Sequence, residues 1–263
     1  MDIQLKVPTI AEMLAIGEVP EILFWVGCMG SFDERAQKIT KATAKILNYA
    51  NIKFAVLGTE ESCTGDPAKR AGNEFLFQMM AMTNIAVLNG YEVKKIVTAC
   101  PHCYNTLKNE YPELGGNYEV LHHSELIQSL INEGKLKVEG GTYKGNKITF
   151  HDPCYLGRAN DVYEAPRTII EKLDAELVEM KRSRAKGLCC GAGGGQMFKE
   201  PEKGNKDINI ERTEEALELN PKIIATGCPF CMTMMTDGIK NKNKEEDIKV
   251  LDIAELIANA LEL

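Results

Sequence analysis

"TACPHCYNTL", residues 98–107, returns more than a hundred positions later as "TGCPFCMTMM", residues 226–235. A single Cys-Pro-x-Cys reads as a redox dithiol or as half of a zinc site. Two copies in the same frame say first that the chain repeats itself. The offsets agree with that reading. Cys28 and Cys154 stand 126 positions apart, as do Cys63 and Cys189, while Cys100 and Cys103 precede Cys228 and Cys231 by 128. "EVLHHSELI" (119–127) precedes "KVLDIAELI" (249–257) by 130. The slow drift is that of small insertions in equivalent units. Of the nine cysteines only Cys190 has no counterpart; Thr64 stands opposite it.

Each half alternates short apolar runs with helical patterns. "ILFWVG" (22–27) reads as a buried parallel strand. Ala36, Ile39, Thr43, Ile46, Leu47 and Ala50 then recur at helical spacing. "KFAVLG" (53–58), "KKIVTA" (94–99) and "YEVLHH" (118–123) predict three more strands. Helices are expected over 73–89, after Pro101 and from Ser124 with Glu125. The second half runs alike: "KITFHD", a helix near 163–175, "ELVEM", a helix near 207–218, "KIIATG", a helix after Pro229, "IKVLD" and a C-terminal helix. This alternation predicts an α/β fold of two homologous modules, 1–140 and 141–263, each a small parallel sheet flanked by helices. "EGGTYKGNK" (139–147) is the expected join.

In open parallel sheets functional groups gather at the carboxyl ends of the strands. Cys28, Cys100, Cys154 and Cys228 each follow such an end, and Cys63 and Cys189 fall in loops leaving the same edge. Pro101 and Pro229 suit the first turn of a helix, so each Cys-Pro-x-Cys straddles a helix N-terminus, where amide donors favour thiolates. One site of four sulfurs and one of five are expected, one in each half.

Composition narrows what they hold. The 263 residues are 44% hydrophobic and 26% charged, with net charge -7 and no long Lys/Arg tract, which disfavours a nucleic-acid partner. No apolar run reaches a membrane span, and "MDIQLKVPTI" lacks a signal-peptide core, so a reducing, cytoplasmic setting is expected. There, nine cysteines point to metal or redox chemistry, not to structural disulfides. A thioredoxin-like dithiol accounts for Cys-Pro-His-Cys but leaves the other segments idle. Structural zinc accounts for four thiolates but usually draws them from two close pairs. An iron–sulfur cluster fits best, since all-thiolate ligation is its standard mode.

Cys154, "CCG" at 189–191, and Cys228-x2-Cys231, in that order, resemble the cysteine-rich CCG domain. It occurs twice in the B subunit of heterodisulfide reductase and in related subunits of glycolate, lactate and glycerol-3-phosphate oxidation systems. The resemblance covers about residues 22 to 257. It implies a non-cubane [4Fe-4S] cluster held by Cys154, Cys189, Cys190, Cys228 and Cys231, with a substrate sulfur taken up by iron beside Cys189 and Cys190 during reductive disulfide cleavage. The first half departs from the pattern: "SCTGDP" (62–67) replaces the cysteine pair. That leaves Cys28, Cys63, Cys100 and Cys103, enough for a cubane [4Fe-4S] cluster, with Asp66 as an alternative oxygen ligand or a turn former.

Other features have plainer readings. "CGAGGGQ" (190–196) fails Gly-x-Gly-x-x-Gly and reads as backbone clearance around a cluster. His102 is either a tuning or proton-moving group or a solvent-facing turn residue. His122, His123 and His151, at strand ends, are expected to pack or hydrogen-bond, not to ligate. "KRSRAK" (181–186) reads as a solvated loop, and the methionines as packing. The leading function is an iron–sulfur oxidoreductase subunit passing electrons between a flavoprotein or ferredoxin-like partner and a disulfide or a quinone pool. Such a subunit would sit peripheral to the inner face of a membrane through its partner. A stand-alone thiol–disulfide enzyme and a zinc scaffold are the competing classes.

Overall fold

The computed structural model describes residues 5–138, 141–200 and 203–263. Eight strands form two separate four-stranded parallel sheets. The first contains β1 (Ile22–Trp25), β2 (Phe54–Ala55), β3 (Lys95–Thr98) and β4 (Glu119–His122), in the order β2-β1-β3-β4. The second contains β5 (Lys147–Phe150), β6 (Glu176–Leu177), β7 (Ile223–Thr226) and β8 (Lys249–Asp252), in the matching order β6-β5-β7-β8. Every expected strand is present, and all pairings are parallel. The central strands β1 and β7 are buried at every residue, which is why they read as unbroken apolar runs.

Helices α1 (Ile10–Ala15), α2 (Gly27–Phe32), α3 (Glu34–Tyr49), α4 (Asp66–Arg70), α5 (Glu74–Gly90), α6 (Pro101–Asn105) and α7 (His123–Asn132) belong to the first half. Helices α8 (Glu164–Lys172), α9 (Ile208–Leu217), α10 (Pro229–Asn241) and α11 (Ile253–Ala260) belong to the second. Local chemistry sets the ends. Asp33 caps α3 by accepting from the Ala36 amide at 2.7 Å, and Asp252 with Glu255 forms a capping box on α11. Each such cap contributes about 1 kcal/mol. Of the expected join, residues 139 and 140 lie outside the described residues, and 141–145 form turns.

The repeats pack reciprocally. Helix α3 of the first half lies on α11 of the second, and α8 of the second lies on α7 of the first. By repeat position α3 corresponds to α8 and α7 to α11, so the contact has the form of a two-fold interface within one chain. Leu126, Ile127 and Leu130 share one apolar core with Ile169, Ile170, Leu256 and Ile257. Burying each such side chain contributes about 1.5–3 kcal/mol. Arg35 on α3 reinforces the seam with a two-pronged pair to Glu255, both contacts at 2.8 Å.

Candidate metal centre

In each sheet the chain goes one way from the first strand to the second and returns on the other side with the third. The switch therefore falls between β1 and β3, and between β5 and β7, and open α/β sheets bind ligands at the carboxyl end of such a switch. Cys28 follows β1 and Cys100 follows β3; Cys154 follows β5 and Cys228 follows β7. Strand order thus draws the cysteines into a crevice in each half.

All nine cysteines are free. In the first half Cys28, Cys63, Cys100 and Cys103 line one small cavity together with Thr64, Asp66 and His102. The Cys28 and Cys63 thiols interact directly, as do those of Cys100 and Cys103. Thr64, which replaces the second cysteine of a pair, places its hydroxyl 4.0 Å from Cys103 Sγ. In the second half Cys154 meets Cys189, Cys189 meets Cys190, and Cys228 meets Cys231. Cys190 and Cys231 bring their sulfurs to 3.4 Å. The two sets are also joined: Cys100 interacts with Cys228 across the halves. The spacing of the sequence implied a site in each half but not that the two would abut.

Such crowding resists ionisation. The neighbouring Cys63, then burial, push the Cys28 thiol far up, and Cys189 pushes Cys190 to about 12. In compensation Cys28 draws Cys63 down to about 7, and Cys154 draws Cys189 far below the ordinary thiol range. Burial opposes ionisation of Cys100, yet Cys103 and Cys228 carry it well below its usual value. The protein alone can therefore sustain only some of these thiolates. Bound cationic metal would supply positive charge there. The donor set, all sulfur and drawn from several segments around one cavity, fits iron–sulfur ligation.

The surrounding residues are more committed than the sequence showed. Asp66 is no turn former. It begins α4, is buried, and its carboxylate accepts from Arg70 Nε at 3.0 Å and pairs with His102 Nδ1 at 3.0 Å. His102 is likewise not solvent-facing: it is 8% exposed, with the Tyr155 ring tilted against it and the Phe230 ring edge-on, both from the other half. Glu61 accepts the amides of Val26 and Gly27, at 3.0 and 2.6 Å, and so fixes the turn that carries Cys28. Its burial raises the carboxyl to about 7 against those two bonds. Asp152 is clasped by Arg167 at 2.8 and 3.0 Å and by the Arg184 amide at 2.7 Å, holding the turn before Cys154. His122, His123 and His151 are all buried and hydrogen-bonded, as expected. "KRSRAK" is tied down in part, with Arg182 on Glu211 and Glu215. The missed partners left one signal, the polar pair His151-Asp152 where a strand leaves the core.

Two glycines of "GAGGG" face the first half: a Cβ at Gly193 would sit 3.5 Å from His102 Cε1 and one at Gly195 3.9 Å from the Pro67 carbonyl, whereas Gly194 faces open space at a φ of +68°. Beside this loop an apolar cavity is lined by Cys63, Pro67, Leu76, Met80 and Phe198. Around it Phe75, Met79, Met82 and Phe198 are exposed. No described helix is long and apolar enough to cross a membrane.

Two parallel sheets whose switch points gather nine free thiols define a duplicated, cysteine-rich α/β protein with the donor set of an iron–sulfur site. The CCG cysteine-rich domain matches the chain twice, over residues 22–108 and 148–236, and the chain belongs to this family of iron–sulfur oxidoreductases. It is 50% identical over 257 residues to a probable iron-sulfur-binding oxidoreductase, FadF, of Bacillus subtilis, covering 97% of this chain and 36% of that protein. It is 46% identical to the EtfAB:quinone oxidoreductase of Syntrophomonas wolfei, covering 94% and 35%. It is 36% identical to one component of the dihydromethanophenazine:CoB–CoM heterodisulfide reductase of Methanosarcina barkeri, covering 94% and 61%. The chain thus spans about a third of the length of the first two relatives.

Proposed function

We propose that the chain carries two [4Fe-4S]-type clusters and passes electrons between a protein partner and an acceptor, either a disulfide or a quinone. Cys28, Cys63, Cys100 and Cys103 would hold the first, in a cubane arrangement, and Cys154, Cys189, Cys190, Cys228 and Cys231 the second, in a non-cubane one. The observation that carries this reading is that Cys100 and Cys103 share one buried cluster with Cys190, Cys228 and Cys231, because adjoining sites suit electron transfer between the halves. When bound, the clusters would store single electrons, and iron at the second would offer a soft site for an outside sulfur.

The residues around the sites divide the remaining work. The amides that open α10 favour the negative charge gathered at Cys228 and Cys231. Asp66 and Tyr155 hold His102 against Gly193, beside the open space that Gly194 leaves. A disulfide entering there would pass between the halves and reach Cys189 and Cys190. The apolar face around Phe75, Met79 and Met82 beside Cys63 is where we place the electron-transfer partner, a ferredoxin-like or flavoprotein component. The relative named an EtfAB:quinone oxidoreductase supports a quinone acceptor, and a partner anchored in a membrane, as the relative named a probable membrane-anchored ferredoxin suggests, would bring the chain to its inner face.

Anaerobic purification with iron, sulfide and zinc counted tests the reading, the expectation being close to two clusters per chain. Zinc without sulfide would favour the scaffold, and metal-free protein active on disulfides the dithiol enzyme. A disulfide titration followed by paramagnetic resonance then tests the acceptor. Gly193→Leu should abolish any change that the wild type shows, and a wild type silent to every thiol and disulfide would leave the second site as a relay.

A further inference from the structure

His151 follows β5 and its ring is completely buried. Its Nδ1 lies 3.0 Å from Arg212 Nε. A guanidinium carries donors only, so Nδ1 accepts and cannot itself bear the proton. The neutral ring must then carry its hydrogen on Nε2. Arg212 is in turn immobilised: it is 0% exposed, and its Nη1 donates to the Arg182 carbonyl at 2.8 Å and the Glu215 carboxylate at 3.1 Å.

His151 Nε2 is buried and has no partner of its own. A ring nitrogen of His151 and the sulfurs of Cys190 and Cys231 lie within 4.8 Å of one another. With Nδ1 taken by Arg212, Nε2 is the nitrogen left without a partner to meet those sulfurs. Buried donors are almost always paired, so an orphan aimed into a cysteine site marks the place of an acceptor.

The repeat supplies a second observation. The position matching His151, 126 residues earlier, is Trp25 at the end of β1. Its indole is also fully buried, and its Nε1 also lacks a partner. It packs in the same apolar cluster as Cys100 and Cys103. Indole nitrogen can only donate. Both halves thus set a ring N–H without an acceptor at the same turn of the same strand.

We propose that His151, locked by Arg212 with its hydrogen on Nε2, donates that N–H to a sulfur of the five-cysteine site and raises the reduction potential there, acting as a positioning residue and not as a ligand. This rests on the iron–sulfur reading above. Ligation through Nε2 would require its lone pair, which moves the proton to Nδ1 and sets it against the Arg212 N–H. A hydrogen bond to sulfur favours the more negative, reduced state, and such bonds are among the levers that set cluster potentials.

The test uses the whole chain, purified anaerobically, as wild type, His151→Phe and His151→Gln, with iron and sulfide counted before redox titration by paramagnetic resonance. All three should hold the same iron and sulfide. Phe should lower the reduced-to-oxidised ratio of the second-site signal about tenfold at a fixed potential, a shift of about 59 mV for one electron. Gln, which can again present an N–H, should recover most of it, and the first-site signal should stay in place. In wild type reconstituted in deuterated water, double resonance should show an exchangeable proton coupled to the second site. An unchanged potential in His151→Phe overturns the inference, as does a directly coordinated nitrogen in wild type. Wild type without iron and sulfide in the second site overturns the underlying reading instead.

Discussion

His122 Nε2 donates to the carbonyl of Gly227 at 3.0 Å. The first residue closes β4 of one half, and the second immediately precedes Cys228 of the other. A carbonyl only accepts, so the His122 hydrogen sits on Nε2, and Nδ1 is free to accept from the Ser124 amide at 3.4 Å. Beside it His123 Nε2 reaches Asp252 Oδ1 at 2.7 Å, joining the first turn of α7 to the cap of α11. The position of a second-half cysteine therefore depends on a first-half histidine.

That histidine should make stability depend on pH. Burial, then His123, hold His122 well below its ordinary value of 6.5. Below about pH 6.5 the unfolded chain binds a proton that the folded protein refuses. Its contribution is complete above that pH and is lost as pH falls, by up to about 1.4 kcal/mol per unit. Denaturant midpoints of wild type and His122→Gln, compared at pH 7.5 and 5.5, should show a smaller acid loss in the variant. Parallel losses would assign the effect to other groups.

Arg167 should be costly to remove. It is 2% exposed and bridges Asp152 to Glu179, so Arg167→Met leaves the buried Asp152 carboxylate without its counter-charge. A loss of about 3–5 kcal/mol is expected in urea unfolding. Adding Asp152→Asn should restore part of it, and a double variant no better than the single one would refute the pairing.

Cys190→Ser should alter the spectrum of the second site alone. Cys190 touches Cys189 and Cys231, whereas the first set is completed by Cys28, Cys63, Cys100 and Cys103. Loss of both signals, or of neither, would contradict the division into four and five.

Residues 141–263 made alone should not fold cooperatively. Ile169, Ile170, Leu256 and Ile257 would lose the Leu126, Ile127 and Leu130 side of their shared core, leaving apolar area that a small isolated unit cannot cover. Calorimetry should show a broad or absent transition. A sharp one near that of the whole chain would show that the halves are independent.

The duplication and the strand and helix order were legible in the sequence, as was the placing of the cysteines at the carboxyl ends of the strands. Each rests on short-range rules: apolar runs for buried strands, period 3.6 for α3, proline at the start of α6 and α10, and equal offsets between repeats. What only the tertiary structure decided is how the two copies face each other. The reciprocal packing of α3 on α11 and α7 on α8 brings Cys100 to Cys228 and His122 to Gly227, pairs separated by 128 and 105 positions. The burial of Asp66 and His102 follows from the same seam, since Tyr155 and Phe230 of the second half cover the imidazole. The orphan Nε2 of His151 is likewise visible only once Arg212, from α9, has claimed the other nitrogen. No spacing rule encodes such contacts, because side-chain periodicity reports which face is buried and not what it is buried against.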